Sequence, residues 1–239
     1  DVVVVTAGLP RKPGMTREDL LAANGAIIRA VIAQVRETSP DAVILCVTNP
    51  LDVMTHLAWR LSGMPASRVL GMGGVLDSAR FAYFIAEATG AAVSDINAVV
   101  LGAHGDTMVP LPRFSTVAGT PLPDVLPADQ VAEVVRRTVY GGAEVVALLK
   151  SGSAFYAPGA SVASMVAAIL GDTGAVVPAC ALVEGQYGLS GLHIGVPVTL
   201  GRQGVRSIPE WDLDEAELAA LRASAEGVAE ALATIDLEA

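Results

Sequence analysis

Cysteine, histidine, aromatic residues and charge are all scarce in this chain, and each shortage excludes something. The two cysteines, Cys46 and Cys180, lie far apart in apolar runs. That argues against a disulfide scaffold and reads as reduced thiols in the core of a cytoplasmic protein. There are three histidines, His56, His104 and His193, with no second His or Cys at ligand spacing, which argues against a metal site. No apolar stretch reaches the ~18 uninterrupted residues of a membrane span, and no basic-then-apolar leader opens the sequence. Basic residues are outnumbered, 15 Lys and Arg against 25 Asp and Glu, for a formal charge of -10. Bulk charge of that sign argues against a nucleic-acid or anionic-membrane partner held by charge, while a local arginine cluster is still free to receive an anion. An initiator Met is missing too, since Asp1 runs directly into Val2, Val3, Val4 and Val5. A G-x-G-x-x-G string is also absent: Gly71-Met72-Gly73-Gly74 fails it because position 76 is Leu, and reads as a tight turn.

What is present is apolar bulk. Of 239 residues, 52% are hydrophobic, enough to bury a sizeable core in one or two domains. Residues 2–5 form a β-branched run of the kind covered on both faces of a parallel sheet. Thr16 with Asp19 makes a capping box for a helix to about residue 37, with Leu20, Ala23, Ile27, Val31 and Val35 on one face. Residues 42–47 repeat the buried-strand pattern, 51–61 are helical, a short strand covers 68–70, and a helix covers about 75–89. Strand then helix, three times over, predicts a doubly wound α/β sheet of the Rossmann type.

From about residue 95 the pattern changes to short strands, 97–101, 109–113 and 114–117, rich in Gly and Pro. Helices over 128–150 and 157–170, strands over 176–183 and 196–200, and a last helix from 214 to about 235 complete an α+β region. The expected division is 1–90, the second half of a dinucleotide-binding domain, and 91–239, a catalytic and substrate domain.

In a doubly wound sheet, ligands sit beyond the carboxyl ends of the strands. Thr6-Ala7-Gly8, Val47-Thr48-Asn49 and Gly71-Met72-Gly73 fall there, the last either touching a ligand or serving only as a tight turn. His104 stands at the end of an apolar strand, framed as Gly102-Ala103-His104-Gly105-Asp106. Flanking glycines permit unusual backbone angles and close approach of a substrate; the alternative is a loop histidine with nothing to do. His56 and His193 have no such setting and read as structural. Asp77 and Arg80 are three apart on one helix and project from the same face, either as a functional pair or as an ordinary surface one. Arg11, Lys12 and Arg17 belong to a basic loop with two prolines and a glycine, suited to closing over an anion or merely solvated.

Four strings in order, Ala7-Gly8-Leu9-Pro10-Arg11-Lys12-Pro13-Gly14-Met15-Thr16-Arg17, Thr48-Asn49-Pro50-Leu51-Asp52, Leu76-Asp77-Ser78-Ala79-Arg80 and Gly102-Ala103-His104-Gly105-Asp106, resemble the malate/lactate dehydrogenase family. The resemblance is nearest to its lactate-dehydrogenase-like malate dehydrogenase branch, and the later strand and helix pattern also looks like that family's second domain. It implies that His104 is the acid/base of a 2-hydroxy acid oxidation, with Asp77 orienting its ring and favouring imidazolium. It implies further that Arg80 grips the C1 carboxylate in two-pronged fashion, that Arg17 polarises the reacting carbonyl, and that Asn49 holds the same oxygen. Arg11 would pair with a second carboxylate, so malate and oxaloacetate are expected over lactate and pyruvate, because burying an unmatched arginine costs several kcal/mol.

The cofactor implied is NAD, lined by Thr6, Ala7, Gly8, Asn24, Val47, Thr48, Asn49 and Pro158, with hydride passing from C2 of malate to the nicotinamide. The family's glycine-rich turn and its ribose-binding carboxylate have no counterpart in these residues. Val2 to Val5 then corresponds to the fourth strand of the usual order and presents an apolar edge, as if an N-terminal segment preceded it or the chain were a fragment. The competing readings are a lactate or other 2-hydroxy acid dehydrogenase, a non-catalytic truncated fragment, and an NAD-dependent glycosidase, the last opposed by the arginines and by the missing metal ligands. A homodimer or homotetramer is what the family implies for assembly.

Overall fold

The structure is a computed structural model that describes residues 1–10, 16–149 and 154–237. Its elements, in chain order, are β1 (Val2–Val5), α1 (Arg17–Thr38), β2 (Val43–Cys46), α2 (Leu51–Ser62), β3 (Val69–Gly71) and α3 (Gly73–Thr89). Five short strands follow: β4 (Ile96–Asn97), β5 (Val100–Leu101), β6 (Val109–Pro110), β7 (Thr116–Val117) and β8 (Thr120–Pro121). Helices α4 (Leu122–Val125), α5 (Ala128–Leu149) and α6 (Tyr156–Leu170) lead to β9 (Val176–Glu184), β10 (Ser190–Gly201), β11 (Gly204–Ser207) and α7 (Glu215–Leu232). The doubly wound α/β reading holds: β1, β2 and β3 are parallel neighbours, Val3 opposite Ile44 and Leu45 opposite Leu70. The sheet then continues through antiparallel β9, β10 and β11, in the order β1-β2-β3-β9-β10-β11.

Local chemistry sets the helix ends. The Thr16 hydroxyl accepts the Asp19 N–H and the Asp19 carboxylate accepts the Thr16 N–H, both at 3.0 Å, the capping box expected from sequence. Asp214 and Glu217 repeat the device at the start of α7. Helices α2 and α3 stop at Gly63 and Gly90, whose φ of 66° and 73° is the left-handed conformation a glycine adopts without a Cβ penalty.

Several expectations are corrected. Val2 to Val5 is not covered on both faces. Among the described residues it is the edge strand, as the resemblance implied, and it is exposed on one face, Val4 being 36% exposed while Val5 is buried. The buried stripe of α1 is Leu21, Asn24, Ile28, Ile32 and Val35, one residue on from most of the expected face. Adjacent apolar pairs, Leu20/Leu21, Ile27/Ile28 and Val31/Ile32, leave the phase of that helix ambiguous, and Asn24 settles it through three hydrogen bonds to the backbone. Strand 97–101 is two strands, β4 and β5, and the expected strand 109–113 ends at Pro110, with a single 3-10 turn over Pro112–Phe114 where Pro112 supplies the fixed φ. β10 begins at Ser190, six residues before the expected 196, because Gly191, His193 and Gly195 hide its apolar register; β11 was not expected at all.

Two clusters form the core. The larger lies between the sheet and its helices, with Ile28, Ile32, Leu45, Met54, Leu57 and Leu70 almost wholly buried. The smaller joins α3, α5 and the short strands through Phe81, Phe84, Ile85, Val100, Leu122 and Val134. Among the described residues, no helix is long and apolar enough to cross a membrane.

Candidate active site

The carboxyl ends of β1 and β2 are tied together by side chains. Thr48 Oγ1 donates to the Ala7 carbonyl at 2.8 Å, and the Thr48 methyl stands where a β-carbon on Gly8 would come within 2.7 Å, so glycine at 8 lets the two strand ends close. Asn24 on α1 is 1% exposed; its Oδ1 accepts from the Leu9 N–H at 2.7 Å, and its Nδ2 donates to the carbonyls of Leu9 at 3.2 Å and Asn49 at 2.7 Å. This amide is spent on the backbone of both loops. Thr6, Gly8 and Asn49 are exposed beside it, and Ala7 and Val47 are half-buried.

His104 follows β5. Gly102, at φ 79°, turns the chain and is bridged to Gly195 of β10 by two hydrogen bonds, so close that any β-carbon on Gly195 would run into the Gly102 carbonyl. Ser224 of α7 accepts the Ala103 N–H at 2.9 Å, and Asp52 Oδ2 of α2 accepts the His104 N–H at 2.8 Å. The N-terminus of α3 comes up against the histidine because Gly73 has no side chain; a β-carbon there would lie 3.0 Å from His104 Cβ and 2.7 Å from Leu51 Cδ2. The glycines at 71–74 are therefore packing positions, with Gly71 against Cys180 and Gly74 against Pro178.

Helix α3 then delivers two groups. Asp77 Oδ2 stands 2.7 Å from His104 Nδ1, and its Oδ1 accepts from Arg80 Nη1 at 3.1 Å. The Asp77 side chain is 2% exposed, the His104 ring 18% and Arg80 17%. An ionised carboxylate can only accept, so Nδ1 of His104 carries the proton and Nε2 is the nitrogen left for chemistry. Burial by itself lowers the proton affinity of the ring. The Asp77 carboxylate overrides it, with Asp52 adding to the effect, so that the His104 pKa is raised from its usual value. Burial also pushes the Asp52 carboxyl up, against the His104 N–H that favours its charged form. A cleft of about 390 Å³ opens beside His104, lined by Leu21, Asp52, Asp106 and Val228 among others. Arg80 and Asn49 lie off its wall, so it is one flank of the site.

The sequence-expected group His104, Asp77 and Arg80 is thus one connected unit, with Asn49 at the neighbouring strand end. Pro158 is half-buried in the first turn of α6. Arg11 and Lys12 lie outside the described residues, and of Arg17 only its place at the first position of α1 is described. Sequence reasoning assigned no task to Asp52, Gly73 or Ser224. Asp52 stood within one of the quoted strings, but its partner is a backbone N–H far along the chain.

Comparison with known proteins decides the family. Residues 1–71 match the lactate/malate dehydrogenase NAD binding domain, and residues 74–236 match the lactate/malate dehydrogenase alpha/beta C-terminal domain. The chain belongs to the lactate/malate dehydrogenase family. A malate dehydrogenase of Methanosarcina barkeri is 48% identical over 237 residues, 99% of this chain and 77% of the relative. The solved malate dehydrogenase of Salinibacter ruber superposes with a TM-score of 0.93 at 48% identity, covering 98% of this chain and 74% of that one. A lactate dehydrogenase of Cryptosporidium parvum, solved with lactic acid and NAD, matches with the same TM-score at 40% identity, over 98% and 75%. Within the lactate/malate dehydrogenase family, then, both the two-part fold and its resemblance in sequence extend over nearly all of this chain.

Proposed function

We propose that the chain is an NAD-dependent malate dehydrogenase that interconverts (S)-malate and oxaloacetate. The observation that carries this is the His104–Asp77–Arg80 unit in a chain about half identical to malate dehydrogenases over nearly its whole length. In the oxidising direction, His104 Nε2 takes the hydroxyl proton of malate, and Asp77 stabilises the imidazolium that results. In the reverse direction the same nitrogen returns the proton to the oxo oxygen. Arg80 binds the C1 carboxylate, Arg17 and Asn49 hold the reacting oxygen, and Arg11 matches the second carboxylate and so selects malate over lactate. The residues present fit the nicotinamide end of NAD: Gly8 keeps the strand ends closed, Thr6, Ala7, Val47, Thr48 and Asn49 line them, and Asn24 holds both loops in place; Pro158, in the first turn of α6, is assigned to the same group. NAD, when bound, supplies the hydride acceptor.

In this reading residues 1–90 are the second half of a dinucleotide-binding domain, which also brings Asp77 and Arg80 to the substrate, and 91–239 are the domain that supplies His104; the enzyme works in the cytoplasm and assembles as a homodimer or homotetramer. The test is His104→Asn. Turnover of oxaloacetate is expected to fall by at least about 1000-fold, with the NADH dissociation constant unchanged, because only the proton donor has been removed. Activity persisting within tenfold of the parent would refute the role.

A further inference from the structure

Helices α3 and α5 meet along matching turns. Glu87 of α3 accepts from Arg137 Nη1 of α5 at 2.7 Å, and the Arg137 guanidinium lies 4.2 Å from the Phe84 ring centroid while reaching Glu144, on its own helix, at 3.5 Å. One turn further along α5 is Gly141, opposite Phe84 and Arg80. A β-carbon at 141 would lie 2.5 Å from Arg80 Cδ, 3.3 Å from Arg80 Cγ and 3.1 Å from Phe84 Cε2. Carbon atoms in comfortable contact are about 3.5–4.0 Å apart, so any side chain at 141 would push the stem of Arg80 aside. Gly142 differs: its β-carbon would meet the guanidinium at 3.8–4.0 Å, ordinary contact. Glycine is a poor choice within a helix, and Gly141 is not among the positive-φ glycines. Its conformation therefore does not call for glycine, while its contact with Arg80 does.

We propose that Gly141 is a positioning residue for substrate binding: it forms a notch in α5 that seats the Arg80 stem, and the Glu87–Arg137 pair keeps that notch in register. The inference rests on the reading of Arg80 as the group that binds the C1 carboxylate. It makes the affinity for 2-hydroxy and 2-oxo acids depend on the backbone of α5 at Gly141. The shape of α5 at 141 sets where the guanidinium points, and hence how tightly the carboxylate is held.

The test is steady-state kinetics with oxaloacetate on Gly141→Ala, Gly142→Ala, Arg137→Met and Arg80→Lys, with NADH binding followed by fluorescence. A displacement of the arginine by a good fraction of an ångström is expected to raise KM in Gly141→Ala about 10- to 100-fold. A contact made equally in ground and transition states changes KM and leaves kcat nearly constant, and NADH affinity should not move. Gly142→Ala should stay within about twofold of the parent, and Arg137→Met, which loosens the register only, should raise KM about 2- to 5-fold. An unchanged KM in Gly141→Ala, or an equal rise in Gly142→Ala, overturns the notch. An unchanged KM in Arg80→Lys instead overturns the reading of Arg80. If Gly141→Ala yields no folded protein, Arg137→Met decides, and a parental KM there counts against the proposal.

Discussion

His56 and His193 are the counter-example to His104. They are 4% and 0% exposed, their Nδ1 atoms are 3.2 Å apart, and the ring of Trp59 packs on both. No carboxylate compensates, so burial pushes His56 down to about 4 and His193 down to about 3. Both are neutral in the fold and charge readily when unfolded. The stability they contribute is therefore complete above their ordinary value of 6.5 and is lost as the pH falls from there through about 4 and about 3. Urea unfolding at pH 7 and pH 4 should show a marked drop in midpoint for the parent and a much smaller one for His56→Leu/His193→Leu; equal drops would remove the pair from the account. His104 has the opposite sign, since Asp77 raises it: its share is present at low pH and is lost as the pH rises through its folded value. Sequence separated these cases because His104 is followed directly by Gly105 at the end of an apolar strand, whereas His193 lies between Leu192 and Ile194 and His56 between Thr55 and Leu57. It could not reveal that Asp52 reaches the His104 N–H or that Gly141 faces Arg80, because both contacts join segments whose relative placement only the fold determines.

Among the elements, α3 carries most of the site. Its first residue touches the histidine, its second turn holds Asp77 and Arg80, and its flank meets α5. Gly73→Ala is expected to raise the intrinsic helix propensity by up to about 1 kcal/mol and yet lower kcat/KM, since the new methyl needs His104 Cβ or Leu51 to retreat from 3.0 and 2.7 Å. A loss of about tenfold or more, with the melting temperature within a few degrees of the parent, is the outcome consistent with a shifted His104; parental kcat/KM would show that the loop yields freely. Elements with a strong local signal were legible, such as the capping box of α1 and the strand-helix alternation through α3. Those whose pattern is broken by Gly, His or Pro, such as the start of β10 and the end of β6, were fixed by their neighbours in the sheet.

For the whole molecule, the decisive property is whether the nicotinamide-side residues suffice to bind the dinucleotide. A ligand that binds only the folded state stabilises it by about 2.7 kcal/mol at 100 times its dissociation constant. For a chain of this size that corresponds to a rise in melting temperature on the order of 5–10 °C. Saturating NAD should produce that shift; no shift at millimolar NAD would favour the competing reading of a fragment that keeps the substrate residues without cofactor binding.

The parallel and antiparallel parts of the main sheet are joined where Gly71 pairs with Cys180, and Gly102 bridges Gly195 just beyond. Gly74 lies against the Pro178 backbone at the same boundary. A joint made of bare backbone at such short separations has no layer of side chains to slide or swing upon. The two parts are thus expected to move as one body, and the distance from the carboxyl ends of β1 and β2 to His104 is set by the sheet itself. Substitutions along the glycine joint are therefore expected to alter the geometry around His104 rather than any opening of the fold.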